Sequence, residues 1–310
     1  MEYFLLIVGI TILVIGGEGL VRSAVGLNMK FKLSPLLIGT TVVSFGTSAP
    51  ELIVSVKAVL AGNSQIAVGN VIGSNVANIG LVLGITLVLR TMMVRRRKYI
   101  WSWSLMLIAS IMFFIFSLDY VISTLEGAIL LLGLFGFIWS SIRYRKKIFD
   151  ENDVIEGVND IKYSSKEIIF YFIMGALGLS FGSSLLIDNA VVIAHDLGVS
   201  DFVIAVSVVA LGTSLPELAT SIIALSKGHK SISIGNLLGS NIFNIFAVLG
   251  VTSIISPLAI DPFLISIDLP IMIGFVVMAG LFMFFGKKMG VIEGVALILA
   301  YSAYIAYGFL

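Results

Sequence analysis

Long apolar runs alternate with short polar connections along the whole chain. Each run is about 20 residues long, which is the length that an α-helix needs to cross the hydrocarbon core of a bilayer. The runs are continuously apolar, whereas a membrane β-strand alternates polar and apolar residues. The pattern therefore predicts an all-α membrane protein with ten transmembrane helices. We expect these spans to begin near Tyr3, Ser34, Ile66, Trp101, Ser123, Ile168, Asp201, Ile232, Ile265 and Val291.

The composition agrees with a membrane protein. Hydrophobic residues make up 58% of the 310 positions and charged residues only 12%, whereas about a quarter of a soluble domain is charged. The first run has no basic residues before it, so we expect a retained span rather than a cleaved signal peptide. A net charge of +1 argues against a nucleic-acid partner, and the absence of cysteine excludes disulfides and thiolate metal sites. We expect no cofactor, and a lipid bilayer as the surroundings.

The basic residues predict the orientation in the membrane. All but one of the 19 lysines and arginines fall in the connections that follow spans 1, 3, 5, 7 and 9; the exception is Lys57, at the end of span 2. Cytoplasmic loops carry the excess of basic residues. The odd-numbered connections are therefore expected in the cytoplasm and both termini outside, in a prokaryotic plasma or inner membrane.

One polar stretch is longer than the others, at residues 143–167. Its acidic part does not match an EF-hand, because Val154 and Ile155 stand where a ligand and the loop glycine belong. We interpret this stretch as a cytoplasmic linker between two five-helix halves, residues 1–142 and 168–310.

The two halves repeat each other. The motif GTSAPE at 46–51 returns as GTSLPE at 212–217, and GNVIGSNVANI at 69–79 returns as GNLLGSNIFNI at 235–245, both 166 residues later. The repeated segments cover about 34–89 and 200–255. Five spans are an odd number, so the second copy must enter the membrane from the opposite side. Inverted repeats of this kind are typical of secondary transporters, whose substrates bind near the midplane between the repeats.

The GTS-x-PE motif places oxygen atoms inside an apolar span. Pro50 has no N–H for the carbonyl of Gly46, and its ring crowds the preceding turn. Thr47 and Ser48 lie four and three residues before Glu51, so all three share one helix face. Span 7 repeats the arrangement with Thr213, Ser214, Pro216 and Glu217.

Spans 3 and 8 each add a polar stripe with a period of four residues. The stripes consist of Asn70, Ser74 and Asn78 in span 3, and Asn236, Ser240 and Asn244 in span 8. Small residues beside them, such as Gly69 and Gly73, let another backbone approach closely. The simplest assembly packs spans 2, 3, 7 and 8 together and brings Glu51 and Glu217 to a common centre.

Two carboxylates in such a site repel each other unless cations or protons join them. Oxygen-only ligation suits Ca²⁺, and smaller oxygen cages suit Na⁺.

The two histidines, His195 and His229, fall at span ends, which disfavours a zinc pathway. A packing kink explains one motif but not two copies with an intramembrane acid in each. Ser48 and Ser214 lack a nearby base, which disfavours an enzyme nucleophile; a channel remains an alternative.

These doubled motifs resemble those of the cation/calcium antiporter superfamily, and the similarity extends through both repeats. The chain is most similar to the prokaryotic sodium/calcium exchangers and the related bacterial calcium/sodium antiporter group. The resemblance implies eight core helices and a more loosely attached pair, spans 1 and 6, that slides to alternate access. The resemblance also implies which groups bind ions. Ca²⁺ would be held by Glu51 and Glu217 with the carbonyls of Thr47 and Thr213. Na⁺ would be held by Ser48, Ser74, Ser214 and Ser240 and by the carbonyls of Ser44 and Ala210, while Asn78 and Asn244 would line the centre.

Two departures from the family patterns bear on the coupling ion. The proton/calcium branch has a glutamate where this chain has Gly73 and Gly239, which disfavours proton coupling. The archaeal sodium/calcium and the potassium-dependent exchangers place an aspartate where Asn244 stands, so K⁺ dependence is disfavoured too. We therefore expect antiport of Ca²⁺ against Na⁺, and exchange of Ca²⁺ or another divalent cation against H⁺ remains the alternative.

Overall fold

The computed structural model describes residues 1–93, 96–143, 163–198, 210–286 and 288–308. Its helices lie close to the predicted spans; the predicted start of span 7, Asp201, lies outside the described residues. In the first half the helices are α1 (Glu2–Phe31), α2 (Pro35–Thr47), α3 (Ala49–Leu60), α4 (Ser64–Leu89), α5 (Arg96–Phe116) and α6 (Thr124–Arg143). In the second half they are α7 (Ser165–Asp196), α8 (Ala210–Thr213), α9 (Leu215–Ser226), α10 (Lys230–Ile255), α11 (Leu264–Phe285) and α12 (Val291–Tyr307).

The helices confirm a membrane protein of helical class. Within the described residues, seven helices are long and apolar enough to cross a membrane by themselves, and α2 and α3 form an eighth span if the bent pair is counted as one. These seven are α1, α4, α5, α6, α7, α10 and α11. Helices α9 and α12 are shorter apolar helices.

The spacing of 166 residues extends through the helices of both halves. Helix α9 has the bounds of α3 shifted by 166, and α10 has those of α4. The last two helices of each half, α5 with α11 and α6 with α12, follow the same shift to within a few residues. The equivalence of the halves therefore reaches beyond the segments in which the sequence repeat is visible.

Local sequence signals account for several helix starts. Ser34 caps α2 by accepting a hydrogen bond from the Leu37 N–H at 3.1 Å, and Pro35 occupies the first helical position. Ser164 and Glu167 form a capping box at the start of α7. Glycines with positive φ, Gly62 at 80° and its equivalent Gly228 at 83°, turn the chain between α3 and α4 and between α9 and α10.

Helices α4 and α10 form the centre of the molecule. In each of them, 78% of the most apolar window is buried, against 22–39% for the other long apolar helices. Each also contains a π-helical stretch, Asn78–Leu83 in α4 and Asn244–Leu249 in α10. Such π-turns occur mostly as short insertions at functional sites. The most buried of the long apolar helices are thus the two that carry the GN-x-x-GSN motifs.

Helices α1 and α7 form an antiparallel pair in direct backbone contact. A Cβ added at Gly16 would lie 2.5 Å from the Leu179 nitrogen, and one added at Gly175 would lie 2.7 Å from the Leu20 nitrogen. Only glycine allows such an approach. The two helices have 30 and 32 residues, which corresponds to about 45–48 Å and exceeds the hydrocarbon thickness of a bilayer.

Two short antiparallel strand pairs tie the connections together. Strand β1 (Met92–Met93) pairs with β4 (Lys288–Met289), and β2 (Val121–Ile122) pairs with β3 (Leu258–Ala259). Each pair joins one half of the chain to the other. The two pairs are themselves related by the same 166-residue shift to within one residue.

Candidate ion-binding site

Each GTS-x-PE motif interrupts a helix at its serine. Helix α2 ends at Thr47 and α3 begins at Ala49, with Ser48 between them at φ −87° and ψ 4°; the two helices form an angle of 42°. Helices α8 and α9 are separated in the same way at Ser214, with φ −91° and ψ 4°. The proline two residues later has no N–H to donate, so the last carbonyls before each break lose their helical partners.

The two motif glutamates are completely buried. Glu51 and Glu217 each have 0% of their surface exposed, and each lies in the first turn of the helix that restarts after the break. The positive end of the helix dipole favours a carboxylate there. Among the described residues, neither glutamate forms an ion pair with a basic side chain.

Contacts between the repeats bring six of the predicted site residues together. Ser48 Oγ lies 3.3 Å from Glu217 Oε1, which joins the first motif to the second. Thr47 Oγ1 lies 3.1 Å from Ser240 Oγ, and the equivalent contact joins Ser74 Oγ and Thr213 Oγ1 at 3.3 Å. The last two contacts are related by the pseudo-two-fold symmetry of the repeats. Spans 2, 3, 7 and 8 therefore meet at one centre, as the sequence predicts.

An outer layer of amides supports this centre. Asn70 Nδ2 donates to Ser55 Oγ at 2.9 Å and to the Glu51 carbonyl at 3.3 Å. In the other repeat, Asn236 Nδ2 makes the same contacts with Ser221 Oγ at 3.3 Å and with the Glu217 carbonyl at 3.5 Å. These amides link the helix that carries each glutamate to the neighbouring central helix.

Asn236 also contacts the other repeat. Its Oδ1 accepts a hydrogen bond from Thr47 Oγ1 at 3.0 Å, and its carbonyl accepts one from Ser44 Oγ at 2.9 Å. The Ser44 carbonyl accepts hydrogen bonds from the Ser48 N–H at 2.9 Å and from Thr47 Oγ1 at 3.3 Å. The Ser44 carbonyl, predicted as a Na⁺ contact, is thus already hydrogen-bonded. Its equivalent, Ala210, begins α8 at the edge of the described residues.

The central asparagines are buried and only partly paired. Asn244 Nδ2 donates to Asn75 Oδ1 at 3.1 Å. This contact is not predicted from the sequence, although Asn75 belongs to the GSN tripeptide. Asn78 and Asn244 have 0% exposure. Among the described residues, both polar atoms of the Asn78 side chain lack a hydrogen-bond partner, as does Oδ1 of Asn244.

The histidines do not belong to this centre. His195 lies in the last turn of α7 and His229 immediately precedes α10. Burial and the nearby Lys227 ammonium lower the pKa of His229 below its ordinary value, which favours the neutral imidazole near pH 7.

Helix α2 packs tightly against the small residues of α10. A Cβ added at Gly239 would lie 2.2 Å from Ser44 Oγ and 2.4 Å from the Thr40 carbonyl oxygen, and one at Gly235 would lie 2.8 Å from the Leu36 carbonyl. A side chain at Gly239 would therefore collide with backbone. The stretch equivalent to 39–43, residues 205–209, lies outside the described residues.

The architecture and the centre together define a class of protein. A helical membrane protein with two equivalent halves, broken helices and a pair of buried carboxylates where the halves meet has the features of a secondary transporter. The family model of the sodium/calcium exchanger protein matches residues 1–143 and 167–310, nearly the whole chain. The chain belongs to the sodium/calcium exchanger family.

Individual relatives agree with this assignment. The sodium/calcium exchanger MaX1 of Methanosarcina acetivorans is 29% identical, with 98% of this chain and 97% of MaX1 covered. The inner membrane protein YrbG of Escherichia coli K12 is 35% identical, with coverage of 87% and 84%. A solved structure of the sodium-calcium exchanger NCX_Mj, soaked without Na⁺ and Ca²⁺, superimposes with a TM-score of 0.83 at 27% identity, covering 99% of this chain and 98% of that one.

Proposed function

We propose that this protein is an antiporter that exchanges Ca²⁺ for Na⁺ across a prokaryotic cell membrane. The ions bind at the centre between the two repeats, and the site is reached alternately from the two sides of the membrane. The membership in the sodium/calcium exchanger family and the likeness to NCX_Mj support this assignment.

One observation carries the proposal from the chemistry of the chain itself. Glu51 and Glu217 are completely buried, and both oxygens of Glu51 and Oε2 of Glu217 lack a hydrogen-bond partner among the described residues. Buried polar atoms are nearly always paired, and unpaired buried charges are costly. Two such carboxylates at one centre need a compensating charge, from metal cations or protons that arrive from outside the chain; the family membership favours Na⁺ and Ca²⁺ over protons.

The groups around the carboxylates suit hard cations. The carbonyls of Thr47 and Thr213 end broken helices, where the negative ends of the helix dipoles favour a cation. With Glu51 and Glu217 they supply the oxygen ligands that Ca²⁺ prefers. We assign the flanking Na⁺ positions to Ser48, Ser74, Ser214 and Ser240 with the carbonyls of Ser44 and Ala210, and we place Asn78 and Asn244 along the centre.

Charge neutralisation explains why the two ions compete. Two carboxylates balance one Ca²⁺ or two Na⁺, so either load removes the repulsion that the empty site suffers. Shared glutamates make simultaneous full loading by both ions unfavourable, and this competition is the requirement for exchange. A third bound Na⁺ would leave the loaded site positive and make transport electrogenic.

We also propose ten membrane spans with both termini outside. Several polar contacts each join two connections that the distribution of basic residues assigns to the same side of the membrane. On the predicted cytoplasmic side, Arg90 donates to the Leu225 carbonyl at 2.9 Å and Lys230 to the Thr91 carbonyl at 3.1 Å. On the predicted outer side, Ser64 Oγ contacts the Ala259 carbonyl at 3.3 Å. The pairs β1–β4 and β2–β3 join connections in the same manner.

The proton-coupled alternative is not favoured. Its branch carries a glutamate at the positions of Gly73 and Gly239. A Cβ at Gly239 would lie 2.4 Å from the Thr40 carbonyl oxygen, which leaves no room for a side chain at that position, whereas a Cβ at Gly73 would meet no described atom within 4 Å. The site therefore depends on two carboxylates for its charge.

Uptake of labelled Ca²⁺ into vesicles tests the function. The purified protein is reconstituted into vesicles, and the vesicles are loaded with Na⁺ and diluted into Na⁺-free medium. Parallel experiments impose an H⁺ gradient or a K⁺ gradient instead. We expect uptake driven by the Na⁺ gradient and abolished when Na⁺ is equal on both sides. Uptake that follows a pH gradient and ignores Na⁺ would overturn the proposal, and so would a conductance far above the turnover of a carrier.

A further inference from the structure

One hydrogen bond joins the α1/α7 pair to the break in span 7. Pro216 has no N–H to give to the Gly212 carbonyl, four residues earlier, so this carbonyl is left without its helical partner. Ser183 of α7 donates its hydroxyl to that carbonyl at 2.8 Å. Ser183 is 4% exposed. The hydroxyl thus satisfies a buried carbonyl that the proline has released.

The first repeat lacks the equivalent bond. The residue 166 positions before Ser183 is Gly17, which has no hydroxyl, and the carbonyl released by Pro50 belongs to Gly46. A Cβ added at Gly46 would lie 2.9 Å from Leu20 Cδ1 and 3.3 Å from Phe172 Cε2, so apolar side chains cover this glycine. The repeats therefore share the broken helix but differ in how α1 and α7 contact it.

The α1/α7 pair lies asymmetrically on the two repeats. Gly17 faces α9, where a Cβ would meet Ile223 Cδ1 at 2.7 Å and the Thr220 nitrogen at 3.5 Å. Ser183, its equivalent, faces Gly212 of α8 instead. A symmetric arrangement would place Gly17 against Gly46. The structure is therefore one of two related arrangements that the inverted repeats allow.

In the opposite arrangement the two halves exchange these contacts. Alternating access in transporters with inverted repeats moves one part against the other around a fixed site. The pseudo-two-fold relation of the repeats offers a second end state in which each repeat adopts the contacts that the other now makes. There Gly17 would lie against Gly46 and would offer no hydroxyl. The Ser183 hydroxyl would leave Gly212, because its new position corresponds to the one Gly17 now occupies.

We propose that Ser183 is a positioning residue that biases the transporter toward the access state described by this structure. The inference rests on the proposed exchange function, because it needs two access states. The hydrogen bond forms in one state only, so its free energy enters the equilibrium between them directly. A typical net hydrogen bond corresponds to a bias of about five-fold.

Reciprocal variants test this bias. Ser183→Ala removes the bond, whereas Gly17→Ser offers a hydroxyl to Gly46 in the opposite state and requires only the flexible end of Ile223 to shift in this one. Apparent Ca²⁺ affinity is measured from each side of vesicles with uniformly inserted protein. We expect the ratio of the two affinities to change about five-fold in Ser183→Ala and Gly17→Ser alike, both toward the opposite state. Ser183→Thr should keep the wild-type ratio, and the exposed neighbour Ser184→Ala serves as the matched control.

A second measurement does not depend on transport. Hydrogen–deuterium exchange should be faster in peptides covering 210–217 of Ser183→Ala, and unchanged in peptides covering 44–51. An unaltered affinity ratio in Ser183→Ala with normal exchange activity would overturn the inference, as would equal exchange rates at 210–217. Absence of Na⁺-driven Ca²⁺ uptake by the wild type would instead refute the proposed function, while faster deuterium exchange would still establish the contact itself.

Discussion

Ser48 Oγ of the first repeat lies 3.3 Å from Glu217 Oε1 of the second. The hydroxyl and the carboxylate come from motifs 166 residues apart, and neither repeat can build this contact alone. The equivalent pair is not formed: among the described residues, Ser214 Oγ and both carboxylate oxygens of Glu51 have no hydrogen-bond partner. The centre is thus assembled by both halves and is asymmetric in this state.

The two motif serines should affect Na⁺ more than Ca²⁺. We expect Ser48→Ala to raise the Na⁺ concentration for half-maximal exchange about ten-fold, because a hydrogen bond to a charged group is lost with a proposed Na⁺ ligand. Ser214→Ala should have an effect in the same direction. Ca²⁺ uptake measured over a series of internal Na⁺ concentrations gives both values. A Ca²⁺ affinity that falls as far as the Na⁺ affinity would contradict the division of ligands.

Removal of either carboxylate charge should stop exchange. We expect Glu51→Gln and Glu217→Gln each to reduce Na⁺-driven Ca²⁺ flux by at least about two orders of magnitude, because one buried carboxylate cannot balance a divalent cation. The amide preserves the volume of the side chain, so the protein should still insert and elute as a folded species. Glu126→Gln, at the start of α6 where Glu126 accepts from the Ser123 N–H at 2.8 Å, is the control and should transport normally. Normal flux in either site variant would refute the assignment of the centre.

Much of the fold follows from the sequence, because the apolar runs predict the helices and the two pairs of motifs reveal the repeat. The 166-residue shift predicted from GTSAPE and GTSLPE holds for the helix bounds of α3 with α9 and of α4 with α10. The individual ligand roles, the ten spans and the position of the termini stay predictions.

The asymmetry of the centre could not be predicted. Two copies of one motif carry the same local information, so the sequence cannot say that Ser48 contacts Glu217 while Ser214 leaves Glu51 unpaired. The contact of Asn244 with Asn75 depends on how α4 and α10 cross, which is a property of packing rather than of a motif. The π-turns arise in the same packed region.

The outer amides should position the site rather than bind ions. Asn236→Ala would remove one of the hydrogen-bond partners of Thr47 Oγ1 and the link to Ser221. We expect the maximal exchange rate to fall about ten-fold, since the buried network loses a hydrogen bond to Thr47 of the first repeat and one to Ser221 of the second. Asn70→Ala removes the equivalent link to Ser55 and should act similarly. Flux over a range of Ca²⁺ concentrations distinguishes the rate from the affinity, and wild-type kinetics in both variants would contradict the role.

Helix packing at Gly239 should limit stability. Because a Cβ there would lie 2.4 Å from the Thr40 carbonyl oxygen, we expect Gly239→Ala to destabilise the fold by about 1–3 kcal/mol. Gly274→Ala in α11 is the matched control, since a Cβ at Gly274 meets no described atom within 4 Å. That variant should be neutral or stabilising, because alanine favours helix over glycine. Thermal unfolding in detergent compares the two, and equal midpoints would show that the contact of α2 with α10 is looser than described.

Labelling of single-cysteine variants should reveal the orientation in the membrane, because the natural chain contains no cysteine. Asn63 and Ser226 are both exposed beside the equivalent turns at Gly62 and Gly228. If the repeats are inverted, these turns lie on opposite sides of the membrane. We expect a membrane-impermeant maleimide to label Asn63→Cys in intact cells, and to label Ser226→Cys only after the membrane is opened. Labelling of both variants from outside would refute the inverted arrangement, and labelling of Ser226→Cys alone would reverse the proposed orientation.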